Sequence, residues 1–209
     1  MQPDTRLPCV DTFSGGHMIG LSDTTANGFE ARTIPGGFSW TLTSVFSRLL
    51  VEAQSRYGKR VIDWTPVGVE IGVDRERPAV WFPGNLMHIS ILLSRHAQND
   101  WREACFELAH ETVHVLAPHN PGIANALEEG VACAFADDMA MENNWNRHTA
   151  DPKYTPALEA VRELLAYDTD AISKLRHHVP AFFDMTPDFI RSHIHACPKA
   201  LANRLCERF

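Results

Sequence analysis

The chain has 209 residues, of which 44% are hydrophobic and 22% charged, as expected for one globular domain with a sizeable core. Its formal net charge of -7 argues against a nucleic-acid-binding protein, which normally carries a basic stripe. The sequence contains no apolar run of roughly 18 residues, the length that a membrane-spanning helix requires.

Cysteine usage and the N-terminal sequence bear on the compartment. The five cysteines are scattered and form no CxxC pair, so neither a disulfide framework nor a cysteine metal site is indicated. The first residues, MQPDTRLPCVDTFSGGHMIG, do not show a basic stretch followed by an apolar run, as a secretory signal would. A cytoplasmic location is therefore the default expectation. Export by a specialised apparatus would leave no such signal, so that route stays open.

The chain divides into an N-terminal extension and one compact domain. Residues 1–38 are rich in Gly, Thr, Ser, Asp and Pro without a sustained period, which predicts a loop, arm or propeptide-like extension. The domain is expected over residues 39–209. It begins with a predicted helix from Phe38 to Tyr57, which carries a buried stripe of Val45, Leu49 and Ala53 and stops at Gly58.

Three strands are predicted next. Strict alternation from Val67 to Val73 indicates a half-buried strand, and AVWF after Pro78 suggests that it forms a hairpin with its neighbour. A third strand is expected from Leu86 to Leu93. The rest of the chain has helical periodicity, in segments near 101–117, 123–142, 155–167, 170–178, 187–195 and 198–208. The predicted fold class is α+β, with a small, mostly antiparallel sheet followed by a helical bundle.

The first long helix of that bundle carries an HExxH motif, formed by His110, Glu111 and His114. Histidines at positions i and i+4 project from one helical face and can bind one zinc ion together. Glu111 lies beside them, where it can take a proton from a zinc-bound water, whose pKa the metal lowers towards ~7. Asp100 is a suitable N-cap and Pro118 a suitable stop, so the sequence supports a helix at the motif.

A catalytic zinc usually has a third protein ligand, and His119, Glu128 and Glu129 are candidates. His119 stands nine residues after His110 and does not match the metzincin spacing. The two glutamates lie on the next predicted helix, where small residues permit close packing against the motif helix: Gly130, Ala132, Cys133 and Ala136. Glu129 heads this small-residue stripe and is preferred, whereas Glu128 is expected on a less polar face.

The segments His110-Glu111-x-x-His114 and Leu127-Glu128-Glu129-Gly130-x-Ala132 resemble the gluzincin metallopeptidases, a group that includes thermolysin and the zinc aminopeptidases. The resemblance covers about 30 residues and the order of sheet, motif helix and glutamate helix. It implies a zinc-dependent peptidase in which Glu129 is the third ligand, because an "E-G-x-A" glutamate has that role in the group. Fourteen residues separate His114 from Glu129, which implies a compact loop between the two helices.

The chain also departs from the group. Thermolysin-like proteins have an aspartate four residues after the ligand glutamate, where it supports a zinc histidine, but here that position is Cys133. Asp137 is a possible replacement. The motif by which aminopeptidases hold a substrate amine is missing, so an aminopeptidase assignment does not transfer.

The resemblance also implies an edge strand beside the site and a donor for the oxyanion. Leu86–Leu93 is the candidate edge strand, with an ordinary core strand equally compatible with its sequence. The candidate donors are Tyr154, His148, His177 and His178, and none is preferred over the others.

The leading hypothesis is a zinc endopeptidase that acts on a protein or peptide substrate. One alternative is a selective protease of the toxin, effector or regulator-cleaving type, which a compact chain permits. Another is a non-catalytic interaction protein that binds a metal through the same helix pair. Glu111 argues against the latter, since a purely structural zinc site needs no general base. The sequence specifies neither the substrate nor the oligomeric state.

Overall fold

The computed structural model describes residues 33–34, 37–38, 41–119 and 122–209. The extension predicted for residues 1–38 therefore lies outside the described residues, except for two short strands that pair antiparallel, β1 (Thr33–Ile34) and β2 (Gly37–Phe38). From residue 41 onwards, the elements share one hydrophobic core, to which all the longer helices contribute.

Helix α1 (Leu42–Tyr57) follows its sequence signals closely. It begins after Thr41, whose hydroxyl accepts a hydrogen bond from the backbone N–H of Ser44, and it ends at Gly58, whose φ of 93° is readily adopted only by glycine. The predicted apolar stripe is buried and consists of Val45, Leu49 and Ala53.

The three-stranded sheet consists of β3 (Thr65–Ile71), β4 (Ala79–Trp81) and β5 (His88–Leu93), in the order β3-β5-β4. β5 pairs parallel with β3 and antiparallel with β4. The predicted hairpin between the first two strands is wrong, and the sheet is mixed rather than mostly antiparallel. Alternation along a strand reports which face is buried, but it does not specify which strand lies alongside.

The expectation that Leu86–Leu93 forms an edge strand is also wrong. β5 is the central strand, and its side chains at Ile89, Ile91 and Leu93 are almost fully buried. A strand that pairs on both sides needs a continuous apolar sequence, and HISILL provides one. The edge near the candidate site is β4, which among the described strands pairs only with β5.

Six further helices complete the α+β fold predicted from the sequence. A short 3-10 turn (Arg95–Asn99) precedes them. The helices are α2 (Trp101–His114), α3 (Ala126–Glu142), α4 (Thr155–Tyr167), α5 (Ala171–His178), α6 (Pro187–His193) and α7 (Lys199–Leu205). None of the helices in the described part of the chain is long and apolar enough to cross a membrane.

Helix α3 lies between α2 and α4 and packs extensively against both. Gly130 was expected to allow a close approach to the motif helix, but the side of Gly130 on which a Cβ would stand faces α4 instead. A Cβ added at Gly130 would overlap the backbone carbonyl of Ala157 and lie 2.6 Å from a methyl carbon of Val161. The side of α3 that meets α2 instead carries Cys133, whose Sγ lies 3.8 Å from Nδ1 of His110.

Arg176, on α5, ties together the ends of three segments that are distant in sequence. It is only 4% exposed, and its guanidinium donates to five backbone carbonyls. These belong to Tyr57, Gly58, Lys59, Leu116 and Pro180, at distances of 2.9 to 3.3 Å. Because Leu116 lies two residues beyond the end of α2, Arg176 anchors the chain just after the HExxH motif.

We expect Gly130→Ala to destabilise the protein by about 1–3 kcal/mol or more, since a rigid backbone atom occupies the space that the new methyl group needs. Denaturant unfolding would measure the change. Gly68→Ala is the matched control, because a Cβ at Gly68 meets nothing within 4 Å. Equal stability of the two variants would show that α4 can move away from α3 at no cost.

Candidate metal centre

The motif helix is held in place at its first turn. The Asp100 carboxylate accepts hydrogen bonds from the backbone N–H groups of Arg102 and Glu103, at 3.0 and 3.2 Å, as the predicted N-cap should. Arg147, from the loop after α3, bonds both Asp100 and Glu103, the latter at 2.7 Å. The start of α2 is therefore tied to a loop that lines the site.

A second tie joins the middle of α2 to the end of the sheet. Glu107 is buried, and its carboxylate accepts hydrogen bonds from both the backbone N–H (2.8 Å) and the hydroxyl of Ser94. Burial raises the pKa of Glu107, while the bonds from Ser94 act in the opposite direction. Since Ser94 directly follows β5, this pair sets the distance between the sheet and the motif.

His110 and His114 project from the same face of α2, one turn apart. Their rings meet edge-on with centroids 5.2 Å apart, and their Nε2 atoms are 3.3 Å apart. His110, Glu111 and His114 form a group that could hold a metal ion, because one ligand atom from each lies within 4.8 Å of the others. This is the spacing that an HExxH sequence on a helix predicts.

Glu129 approaches the two histidines from α3. Its Oε2 atom lies 3.4 Å from Nε2 of His110 and 3.8 Å from Nε2 of His114. This buried oxygen forms no hydrogen bond within the described residues. A buried carboxylate oxygen without a hydrogen bond is costly, unless a cation compensates it.

Glu128 lies in a layer behind the histidines. It is 2% exposed and lies on the less polar face expected for it, with the buried side chains of Val131 and Phe135. Its carboxylate accepts a hydrogen bond from Nδ1 of His114 at 2.7 Å and is reached by Nε2 of His119 at 2.8 and 2.9 Å. Glu128 therefore orients His114 through the ring nitrogen that faces away from the metal-binding group.

His110 has a different partner on its far side. Its Nδ1 faces the thiol of Cys133, the residue at the position where thermolysin-like proteins have an aspartate. The suggestion that Asp137 replaces that aspartate is wrong. Asp137 accepts hydrogen bonds from the backbone N–H and the hydroxyl of Thr149, at 2.7 and 2.9 Å, and so fastens a loop instead.

Glu111 lies between the histidines and the sheet edge and is 4% exposed. Burial raises its pKa, while the nearby charges of His114 and His110 and a hydrogen bond from the backbone of Val80 lower it. The net result is a pKa above the usual range of a glutamate, which favours a carboxylate that accepts and returns a proton. β4 lies directly beside this group, because Val80 is its middle residue.

The protonation of the other groups reflects their mutual attraction. Burial lowers the pKa of His114, but Glu129 and Glu128 outweigh it and raise the value to about 9. Burial also lowers the pKa of His110, but its contacts with Cys133 and Glu129 outweigh burial and raise this pKa well above its ordinary value. Burial raises the pKa of Glu129, but the two histidines lower it to about 2. Without a metal, the carboxylates therefore hold protons on the imidazoles.

Two clefts, of about 210 and 250 Å³, meet at the motif. Both are lined by Pro78, His110, Glu111 and Tyr154, so Tyr154 is the one candidate oxyanion donor that lies beside both. Its ring meets that of His110 edge-on, with centroids 5.7 Å apart. His148 lines only the larger of these clefts, and His177 and His178 line a separate cleft elsewhere.

No family model matches the sequence, and no curated protein or solved structure shows significant similarity to the chain. The function must therefore be argued from the geometry and chemistry of this site.

The charge coupling predicts how the stability of the metal-free protein depends on pH. A histidine with a raised pKa contributes stability that is complete below its unfolded value of 6.5 and is lost as the pH rises through its folded value, about 9 for His114. The free energy of unfolding should therefore fall by more than about 1 kcal/mol between pH 6.5 and pH 9, since one pKa unit corresponds to about 1.4 kcal/mol. The depressed pKa of Glu129 contributes stability above pH 4.5 that is lost as the pH falls towards about 2.

Denaturant unfolding in the presence of a chelator measures this dependence. The double variant His110→Ala/His114→Ala should show a much flatter profile between pH 6.5 and 9. A profile as steep as that of the unsubstituted protein would mean that other groups carry the effect.

Proposed function

We propose that the chain is a zinc-dependent metallopeptidase in which His110, His114 and Glu129 hold the zinc ion and Glu111 is the general base. The observation that carries the proposal is the buried Oε2 of Glu129, which has no hydrogen bond to any described residue and lies within ion-pair distance of both Nε2 atoms. A fourth group, Glu111, lies beside these atoms without being needed as a ligand.

The spacing of the three atoms supports zinc. A tetrahedral site with zinc–nitrogen and zinc–oxygen distances of about 2.0–2.1 Å has edges of about 3.3 Å between ligand atoms. The observed separations are 3.3 Å between the two nitrogens and 3.4 and 3.8 Å from them to the carboxylate oxygen. Closing around the ion requires a shift of only a few tenths of an ångström, mainly between Glu129 and His114.

The type of ligands supports catalysis rather than structure. Two histidines and one glutamate leave a tetrahedral zinc with an open position, whereas structural sites usually fill all four positions with cysteine or histidine. The two clefts beside these three residues are also lined by Glu111 and Tyr154, which would lie next to the open position of a bound zinc ion. Cys133 faces Nδ1 of His110, on the side of the ring away from the proposed ligand atom Nε2, and so is not placed to bind the metal itself.

When bound, zinc supplies Lewis acidity and lowers the pKa of water towards about 7. Glu111 takes the proton from the attacking water and returns it to the leaving amine, a task that suits a carboxylate whose pKa lies above the usual range. Glu128 holds the tautomer and orientation of His114 through Nδ1. Tyr154 is the proposed hydroxyl donor to the oxyanion that develops on the attacked carbonyl.

The surroundings favour an endopeptidase. β4 has an unpaired edge among the described strands, and a substrate in extended conformation can pair with that edge. Both clefts continue away from Glu111, one along Val80 and Phe82 and the other along Phe106 and His148. A cleft that is open on both sides of the reacting group accommodates residues before and after the cleaved bond.

The relative roles of the three candidate ligands can be ranked by zinc affinity. We expect Glu129→Ala to weaken zinc binding most, because it removes a direct ligand. Glu128→Ala should weaken it by about 10–100-fold, as loss of a residue that orients a ligand typically does, and His119→Ala by less. Competition with a chromophoric chelator measures all three.

Glu142→Ala is the matched control on the same helix, since Glu142 pairs with Arg56 away from the site. If Glu128→Ala or His119→Ala reduced zinc affinity more than Glu129→Ala, the assignment of Glu129 as the third ligand would be wrong.

The general base can be tested separately from the metal. Glu111→Gln should retain one zinc ion per chain and the fold but lose about 10²–10⁴-fold or more in the rate of peptide hydrolysis. Cleavage of a quenched-fluorescent peptide library, with the products identified by mass spectrometry, measures the rate. Glu142→Gln should cleave at the unsubstituted rate. Absence of cleavage by the zinc-loaded, unsubstituted chain on broad peptide mixtures would favour the non-catalytic alternative.

A further inference from the structure

A separate cleft lies away from the metal centre. It has a volume of about 760 Å³ and lies where the end of α1 and the following loop meet α5. The titratable residues that line it are Lys59, Arg60, Lys174, Arg176, His177 and His178. No aspartate or glutamate is among the described residues that line it, although the whole chain has a net charge of -7.

Two of the cationic side chains have no carboxylate partner. Lys59 is exposed and Arg60 half-buried, and neither forms an ion pair within the described ranges. Arg60 directs one guanidinium nitrogen to the carbonyls of Val61 and Trp64, which keeps its charge near the cleft without neutralising it. Lys174 differs, because Asp168 pairs with it at 2.6 Å.

Arg176 adds a third unneutralised charge beneath the cleft. All of its hydrogen bonds go to neutral carbonyl oxygens, and burial lowers its pKa to about 10, opposed only by the more distant charge of Glu128. It also covers the carbonyls of Tyr57 and Gly58 at the end of α1. Their partial negative charge would otherwise disfavour an anion at this position.

We propose that this cleft binds a small phosphorylated molecule. Phosphate groups concentrate several negative charges in a small volume, and Lys59 and Arg60 are the side-chain types that bind them by charge-assisted hydrogen bonds. The volume lies within the range of about 300–1,000 Å³ that small-molecule sites have, so the cleft has room for more than an inorganic ion. The site is separate from the proposed peptidase centre, and none of the residues that line it lines the two clefts there.

Isothermal titration of the full, zinc-loaded chain with fructose 1,6-bisphosphate, a phosphorylated molecule that chelates zinc only weakly, tests the proposal. We expect saturable binding of one molecule that weakens as salt is added. The double variant Lys59→Ala/Arg60→Ala should bind at least about tenfold more weakly, because it removes two charge-assisted donors to the phosphate groups. Arg191→Ala/Lys199→Ala is the matched control: it removes the same charge from exposed positions outside the cleft and should bind as the unsubstituted chain does.

Three results would overturn the proposal. One is the absence of saturable binding, and another is an equal loss of affinity in the two double variants, which would indicate only a general charge effect. The third is tighter binding of hexaglutamate than of fructose 1,6-bisphosphate at the same ionic strength, which would make the cleft a site for acidic peptide.

Discussion

Helix α3 is packed on two sides at once, and its position determines how the candidate centre is assembled. On one side Gly130 leaves no room for a Cβ beside the backbone of α4, so the two helices are in contact through main-chain atoms. On the other side Cys133 and Glu129 reach His110 on α2. Contacts of Cys133 and Glu129 with His110 prevent α3 from moving closer to α2. The backbone of α4, against Gly130, prevents α3 from moving away from α2. The distance from Glu129 to the histidines therefore depends on packing that lies mostly outside the centre itself.

Charge balance explains why this arrangement suits a cation. Three carboxylates, Glu111, Glu128 and Glu129, surround His110 and His114 in a region largely removed from water. In the absence of a metal, protons on the imidazoles provide the positive charge, and the pKa values shift accordingly. A divalent ion would replace those protons and leave Glu111 free to exchange one with substrate. In the proposed function, the same buried negative charge would serve metal affinity and, through the raised pKa of Glu111, proton transfer.

The sequence predicts the local parts of this structure and not the long-range ones. An i,i+4 pair of histidines must share a helical face, and caps such as Asp100 act within one turn, so the motif helix could be predicted with its start. The order of the strands could not be predicted. The apolar sequence of β5 shows that this strand is buried, but not that it lies between β3 and β4. The contacts of Glu128 could not be predicted either, because its bonds to His114 and His119 depend on the path of the loop between α2 and α3. Resemblance to the gluzincins selected Glu129 and also pointed to position 133 as the neighbour of a zinc histidine, but the aspartate that it implies there is replaced by Cys133.

The bonds of Arg176 also affect the order of events during synthesis. The guanidinium of this side chain donates hydrogen bonds to the backbone carbonyls of Tyr57 and Leu116, which precede it by 119 and 60 residues. While the chain is still on the ribosome, α1 and α2 are made long before the arginine that joins their ends. The segment just after His114 acquires its last partner only when α5 has emerged and docked. A nascent chain that carries the complete HExxH motif therefore lacks part of the support of that motif, and we expect metal to be retained firmly only late in folding.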